Sequence, residues 1–133
     1  MSNDPVERSR DWFRQADRDL QHARNSLVHA DHEWSCFAAQ QAAEKALKSL
    51  YQAFAGEGWG HSVLALLEGL EEKVPVPEEL RSQAMLLDRM YIPTGSPNGF
   101  DRGIPADYFD RNDAEEAIEA AHAILEFVRP KVP

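Results

Sequence analysis

The residues best placed to do chemistry lie in one run, Gln40, Gln41, Glu44, Lys45 and Lys48, set among alanines and leucines. Glu44 and Lys48 are four apart, so a helix would bring them together as an ion pair, and Gln41 and Lys45 share the neighbouring face. Amide and ammonium groups on one helix face have two uses. They can satisfy one another and the surrounding helices, as buried polar groups must. They can also form a polar groove for a phosphate or a base. His61 offers the same pair of readings. It precedes Ser62 at a helix start, where it can anchor the Trp59-Gly60 turn or reach a ligand held by outward-pointing backbone N–H groups. Arg89 and Tyr91 flank a loop rich in Gly, Pro and Asp and, with Arg102 and Lys45, make a candidate basic spot. Together the candidate ligand-binding set is Gln41, Lys45, Lys48, His61, Arg89 and Tyr91. His22, His29, His32 and His122 have no acidic or cysteine neighbour at ligand spacing, so no metal is expected and no cofactor is implied. The single cysteine, Cys36, cannot form an internal disulfide and reads as a small buried hydrophobe.

These side chains need helices to position them. Phe13, Ala16, Leu20, Ala23 and Leu27 recur at spacings of three and four, with Asp4 as cap and Pro5 in the first turn. A break at Ala30-Asp31 follows. A central helix is then expected from about His32 to Ala55, its stripe Cys36, Ala39, Ala43, Ala46, Leu50 and Ala53 widened by Trp34, Phe37, Ala38, Ala42 and Leu47. A helix so broadly apolar must be enclosed on more than one side, which argues for a second chain covering part of it. A short helix begins after Ser62. A fourth carries Leu80, Ala84, Leu87 and Tyr91 and stops at Pro93. A long loop spans Thr94 to Tyr108. A last helix runs from about Arg111 to Arg129, with Ala114, Ile118, Ala121, Leu125 and Val128 inside. No strand period or internal repeat is present, so the fold class is all-α, an up-and-down bundle of four to five helices, with residues 1–133 read as a single domain.

The chain has 133 residues and a net charge of -9 from 23 acidic and 14 basic side chains. Such a chain repels phosphate backbones overall, so nucleic-acid contact would need a local basic patch or a basic partner. No segment approaches the length of a membrane span, and the start lacks the charged and apolar segments of a signal peptide. The cytoplasm is the expected location.

The run from Trp34 to Lys48 resembles the second helix of a HEPN domain. Four other pieces agree, in order: Arg10-Asp11-Trp12 with Ala16 to Leu20, Gly60 to Leu67, Leu87 to Thr94, and Asp113 to Ala117. The resemblance implies a helical bundle, usually a homodimer, with nucleotides or RNA as ligands. It also implies a nucleotidyltransferase partner in a toxin–antitoxin-like pair. Some branches of the family are metal-independent ribonucleases marked by an arginine, four to six residues, then a histidine. Arg24 and His29 have that spacing but lie on the first helix, whereas the family's motif lies on a later one. A non-catalytic binding module is therefore the leading expectation, with a ribonuclease toxin or a stand-alone nucleotide or small-anion binder as alternatives. Gly95 stands where this branch typically carries an arginine, which weakens the nucleotide reading.

Overall fold

A computed structural model describes residues 4–91 and 100–133. It contains α1 (Pro5–Val28), α2 (His32–Ala53), α3 (Val63–Gly69), α4 (Glu78–Asp88) and α5 (Arg111–Val128), with 3-10 turns at Pro105–Asp107 and Arg129–Lys131. No strand occurs among the described residues. Three helix starts are capped by side chains. The Asp4 carboxylate accepts from the Val6 N–H at 2.9 Å, Ser62 Oγ from Ala65 N–H at 3.1 Å, and Asp110 from Asp113 N–H at 2.9 Å. Asp31 is the N-cap of α2 by position but makes no side-chain capping bond.

The first two helices end in the same way. At Ala30 (φ 61°) and Ala55 (φ 59°) the chain turns left-handed, and the following N–H groups close back on the helix. Asp31 N–H bonds Ser26 O at 2.8 Å, and Gly56 N–H bonds Tyr51 O at 2.8 Å. This is the Schellman arrangement, built here on alanine where glycine is usual. It stops α2 at Ala53, two residues short of the expected end.

Helix α2 is the axis of the bundle. Helix α1 packs antiparallel along it, α5 covers a second side, and α3 and α4 close the rest. Cys36, Ala39, Ala42, Ala43, Ala46, Leu47 and Leu50 are all fully buried. The breadth of apolar surface that argued for a second chain is thus covered by the chain's own helices. Small residues allow the close α1–α2 approach, and two serines stitch it: Ser9 Oγ donates to Ser49 O at 2.7 Å, and Ser35 Oγ to Ala23 O at 2.8 Å. Core leucines such as Leu47, Leu67 and Leu87 each contribute roughly 2 kcal/mol by leaving water.

Three details differ from the periodicity. In α1 the innermost positions include Ser9 and Ser26, whereas Leu27 is half-buried. In α5 the buried face is Ala114, Ala117, Ala120, Ala121, Ile124, Leu125 and Val128, and Ile118 sits at its margin. Tyr91 lies beyond the end of α4. Pro93, Thr94 and Gly95 fall outside the described residues. The C-terminal end is tied to α1 by Arg129, whose two Nη atoms donate to Asp17 at 2.9 and 3.1 Å while its guanidinium lies 4.9 Å from the Phe13 ring centre.

Candidate functional site

Glu44 is the centre of the polar cluster. The middle of α2 points its carboxylate inward toward the 54–62 loop, and only 5% of the side chain is exposed. Lys48 Nζ donates to its Oε2 at 3.0 Å. Gln40 Nε2 donates to Oε1 at 3.2 Å and to the His61 carbonyl at 2.9 Å. Gln41 Nε2 donates to Gln40 Oε1 at 2.8 Å. The His61 ring places Nδ1 3.2 Å from Glu44 Oε1 and stacks on Tyr91 with centroids 4.7 Å apart. Five of the six expected ligand-binding residues thus fall on one side of the bundle. Lys48, His61, Gln41 and Tyr91 form one linked cluster, and Lys45 stands beside it, 2.5 Å from Asp19 Oδ2 on α1.

The sixth, Arg89, is not brought in. It is exposed at the end of α4, and its side chain makes no ion pair or hydrogen bond among the described residues. Asp88 beside it turns the other way. Its carboxylate accepts from Ser62 Oγ at 2.8 Å and from Val63 N–H at 2.6 Å, which fastens the start of α3 to the end of α4. Arg102 is likewise remote in role: its carbonyl accepts from the Tyr108 hydroxyl at 2.6 Å. The expected basic spot of Lys45, Arg89 and Arg102 is therefore not a single constellation.

The arginine–histidine pair goes separate ways too. Arg24 Nη2 lies 3.4 Å from His122 Nδ1 on α5, while His29 Nδ1 donates to the Asn25 carbonyl of its own helix end at 2.8 Å. Both are exposed, at different contacts. Cys36 is fully buried; burial first, then the carboxylates of Asp113, Asp110 and Glu33, push its thiol up to about 12. It is held as the unreactive thiol. No group of His, Cys, Asp and Glu among the described residues could hold a metal ion. No helix among them is long and apolar enough to cross a membrane.

The charge balance of the cluster decides what it can attract. Two unit charges about 4 Å apart near a protein surface interact by roughly 4 kcal/mol. A phosphate approaching Lys48 would gain an attraction of that order and meet a repulsion nearly as large from Glu44, only 3.0 Å from the same ammonium. Lys45 is offset by Asp19 in the same way. Both lysines of the run are internally neutralised: Lys45 ties α2 to α1 through Asp19, whereas Lys48 is paired within α2 itself and lies over the Trp12 ring of α1.

An open cleft of about 400 Å³ adjoins the cluster, lined by Trp12, Lys48, Gln52, Glu57, Trp59 and His61 together with Gly58 and Gly60. Sequence reasoning did not single out Gln52, Glu57 or Trp59 as site residues. The available signal was the Gly56-Glu57-Gly58-Trp59-Gly60 alternation, which sets an acid and an aromatic between glycines. Two of those glycines sit where a side chain would be strained or crowded. Gly60 has φ +83°, and a Cβ on Gly58 would lie 3.0–3.1 Å from Tyr51, Leu66 and Lys48 side-chain atoms.

Comparisons with known proteins agree with this architecture. The family model described as the HEPN domain matches residues 9–131. Among solved structures, TT1696 from Thermus thermophilus is 50% identical, with a TM-score of 0.88, over 93% of this chain and 98% of that one. ST0689, an archaeal HEPN homologue, is 36% identical with a TM-score of 0.79, over 95% and 98%. An HEPN domain protein of Thermotoga maritima, tm0613, is 35% identical with a TM-score of 0.73, over 90% and 95%. No curated protein matches the chain. With an all-helical bundle, the Glu44-centred run on its central helix and a family match across nearly all its length, the chain belongs to the HEPN domain family.

Proposed function

We propose that this HEPN protein is a binding module that works through a partner protein and contributes surface rather than catalytic groups. The observation that carries this reading is the internal neutralisation of the polar face of α2: Lys48 is committed to Glu44 and Lys45 to Asp19. A site so balanced has little net charge with which to hold a nucleotide or RNA alone, and the chain as a whole carries -9. The partner would supply the basic surface. A nucleotidyltransferase, in a toxin–antitoxin-like pair, is the class of partner proposed. The separate contacts of Arg24 and His29 favour this module over a ribonuclease.

The test has three readouts on the purified chain. It should leave RNA intact, should show no thermal shift with millimolar nucleotides, and should co-purify in fixed stoichiometry with a nucleotidyltransferase from the same cells. A ligand present at a hundred times its dissociation constant adds about 2.7 kcal/mol of stability, so a nucleotide site would be plain in the thermal shift. RNA cleavage by the chain alone, or a nucleotide shift of that size, would overturn the reading. We also propose a homodimer on the strength of family membership alone, since the α2 face needs no second chain to cover it; light scattering at micromolar concentration reads it directly, and a monomer there refutes it.

A further inference from the structure

The cleft beside the cluster differs from the cluster in one respect: its outer groups are unpaired. Trp59 is 80% exposed. Its ring has no aromatic or cationic neighbour among the described residues, unlike Trp12, whose ring centre lies 5.9 Å from Lys48 Nζ. Glu57 is exposed, and among the described residues neither its carboxylate nor the Gln52 amide beside it makes an ion pair or hydrogen bond. Lys48 forms the back wall with its charge already answered by Glu44. What remains for a visitor is one carboxylate, one indole face and one amide in a space of about 400 Å³.

We infer that this cleft takes an arginine side chain from a basic partner protein. A guanidinium is planar and weakly hydrated, so it stacks on an indole, and its fork of N–H groups matches a carboxylate in two parallel bonds. Trp59 supplies the stacking face, Glu57 the carboxylate, and Gln52 an amide oxygen for a further N–H. An anion finds the opposite arrangement, since the single uncompensated charge in the cleft is negative. The backbone that carries Trp59 is held on both sides. Gly58 seats the backbone against Lys48, Tyr51 and Leu66, and the positive φ of Gly60 turns the chain back into His61, whose carbonyl is fixed by Gln40. The net charge of -9 favours encounter with basic partners over acidic ones.

This inference rests on the partner reading above, and the experiment separates the two. A blocked hexapeptide alternating glycine and arginine is titrated into the full chain while the three indole N–H resonances are followed by NMR. The Trp59 resonance should shift saturably and the Trp34 resonance should not. The matching lysine peptide should bind at least fivefold more weakly, and a glutamate peptide and ATP should leave Trp59 unmoved. Glu57→Gln should weaken arginine-peptide binding at least tenfold, and Trp59→Ala, read through Trp12, should do the same. Both side chains are exposed, so neither variant should disturb the fold, which circular dichroism checks. A Trp59 signal that ignores the arginine peptide at millimolar concentration, or answers ATP instead, overturns the inference. If the nucleotidyltransferase co-purifies equally with wild type and with both variants, the partner reading stands and this inference falls. If the arginine peptide binds as expected but no partner co-purifies, the partner reading falls and the chemistry of the cleft stands.

Discussion

Removing the acid at the centre of the cluster should show how much of the fold depends on it. Glu44→Met keeps the side-chain volume and deletes the acceptor for Lys48, Gln40 and His61. Lys48 has only 12% of its side chain exposed, so its ammonium is left largely buried without a counter-charge. Breaking a buried pair by removing one partner costs about 3–5 kcal/mol, and the lower end applies here because Lys48 can still reach the cleft; about 3 kcal/mol is expected. Lys48→Met should cost less, about 1.5 kcal/mol, because Glu44 keeps its amide and imidazole neighbours and they lessen the penalty of the buried carboxylate. The double variant removes both charges and should cost about 2 kcal/mol, which leaves a coupling of about 2.5 kcal/mol. Urea unfolding is the assay. With a slope of about 1.5 kcal/mol per molar, Glu44→Met should lower the midpoint by roughly 2 M. Additive single effects would refute the argument, because they would mean that the pair is solvated and the lysine is available to a ligand after all.

Three smaller predictions follow from the helix ends and the core. Ala30→Gly should stabilise the chain by about 0.5 kcal/mol, since glycine relieves the left-handed strain at φ 61° but loses more freedom on folding; a lower melting temperature counts against this reading of the turn. The Asp110 carboxyl is held below the usual carboxylate value, chiefly by the Asp113 backbone N–H bonding to it at the start of α5. Its contribution to stability is therefore present above the ordinary aspartate value, near 4, and is lost as pH falls below it; Asp110→Asn, which keeps the cap, should flatten that part of the stability curve. Cys36 should react with a disulfide reagent at pH 8 only as fast as the chain opens, and rapid labelling of the native protein would contradict its burial.

Much of the architecture is legible in the residues because periodicity and caps report directly on helices. Asp4 and Ser62 mark starts that the structure keeps within a residue. The residues that set how closely helices approach are harder to read. Ser9, Ser26 and Ser35 lie inside the α1–α2 seam, and a hydrophobic pattern passes over them, although Ser9 and Ser26 share the phase of Phe13 and Ala23, and Ser35 that of Ala39 and Ala42. A buried serine is stable there only because Ser49 O and Ala23 O are present to accept from Ser9 and Ser35. Those partners are 40 and 12 positions away, which no local pattern shows. The break after α1 was legible at Ala30-Asp31, but the end of α2 was not, for a related reason. Alanine does not advertise a left-handed turn, and the Schellman bonds impose it once the neighbouring helix is in place.

The candidate site divides along the same line. The pairing of Glu44 with Lys48 follows from a spacing of four. That Lys45 belongs to Asp19 does not, because the acid lies on another helix. This second pairing changes what the run can be for. With one lysine neutralised, the other could still form a cationic spot; with both neutralised, the helix face has no net attraction for phosphate. Polar residues that hold a fold together and polar residues that recognise a ligand draw on the same charges, and a charge spent inside the cluster is not available outside it. Recognition then has to fall to side chains that the fold leaves unpaired. Around the cleft those are Glu57, Trp59 and Gln52, on or next to a glycine-punctuated loop that the helical pattern treats as a gap. On this reasoning, changes in Glu44 should be felt first in stability, and changes in Glu57 first in binding.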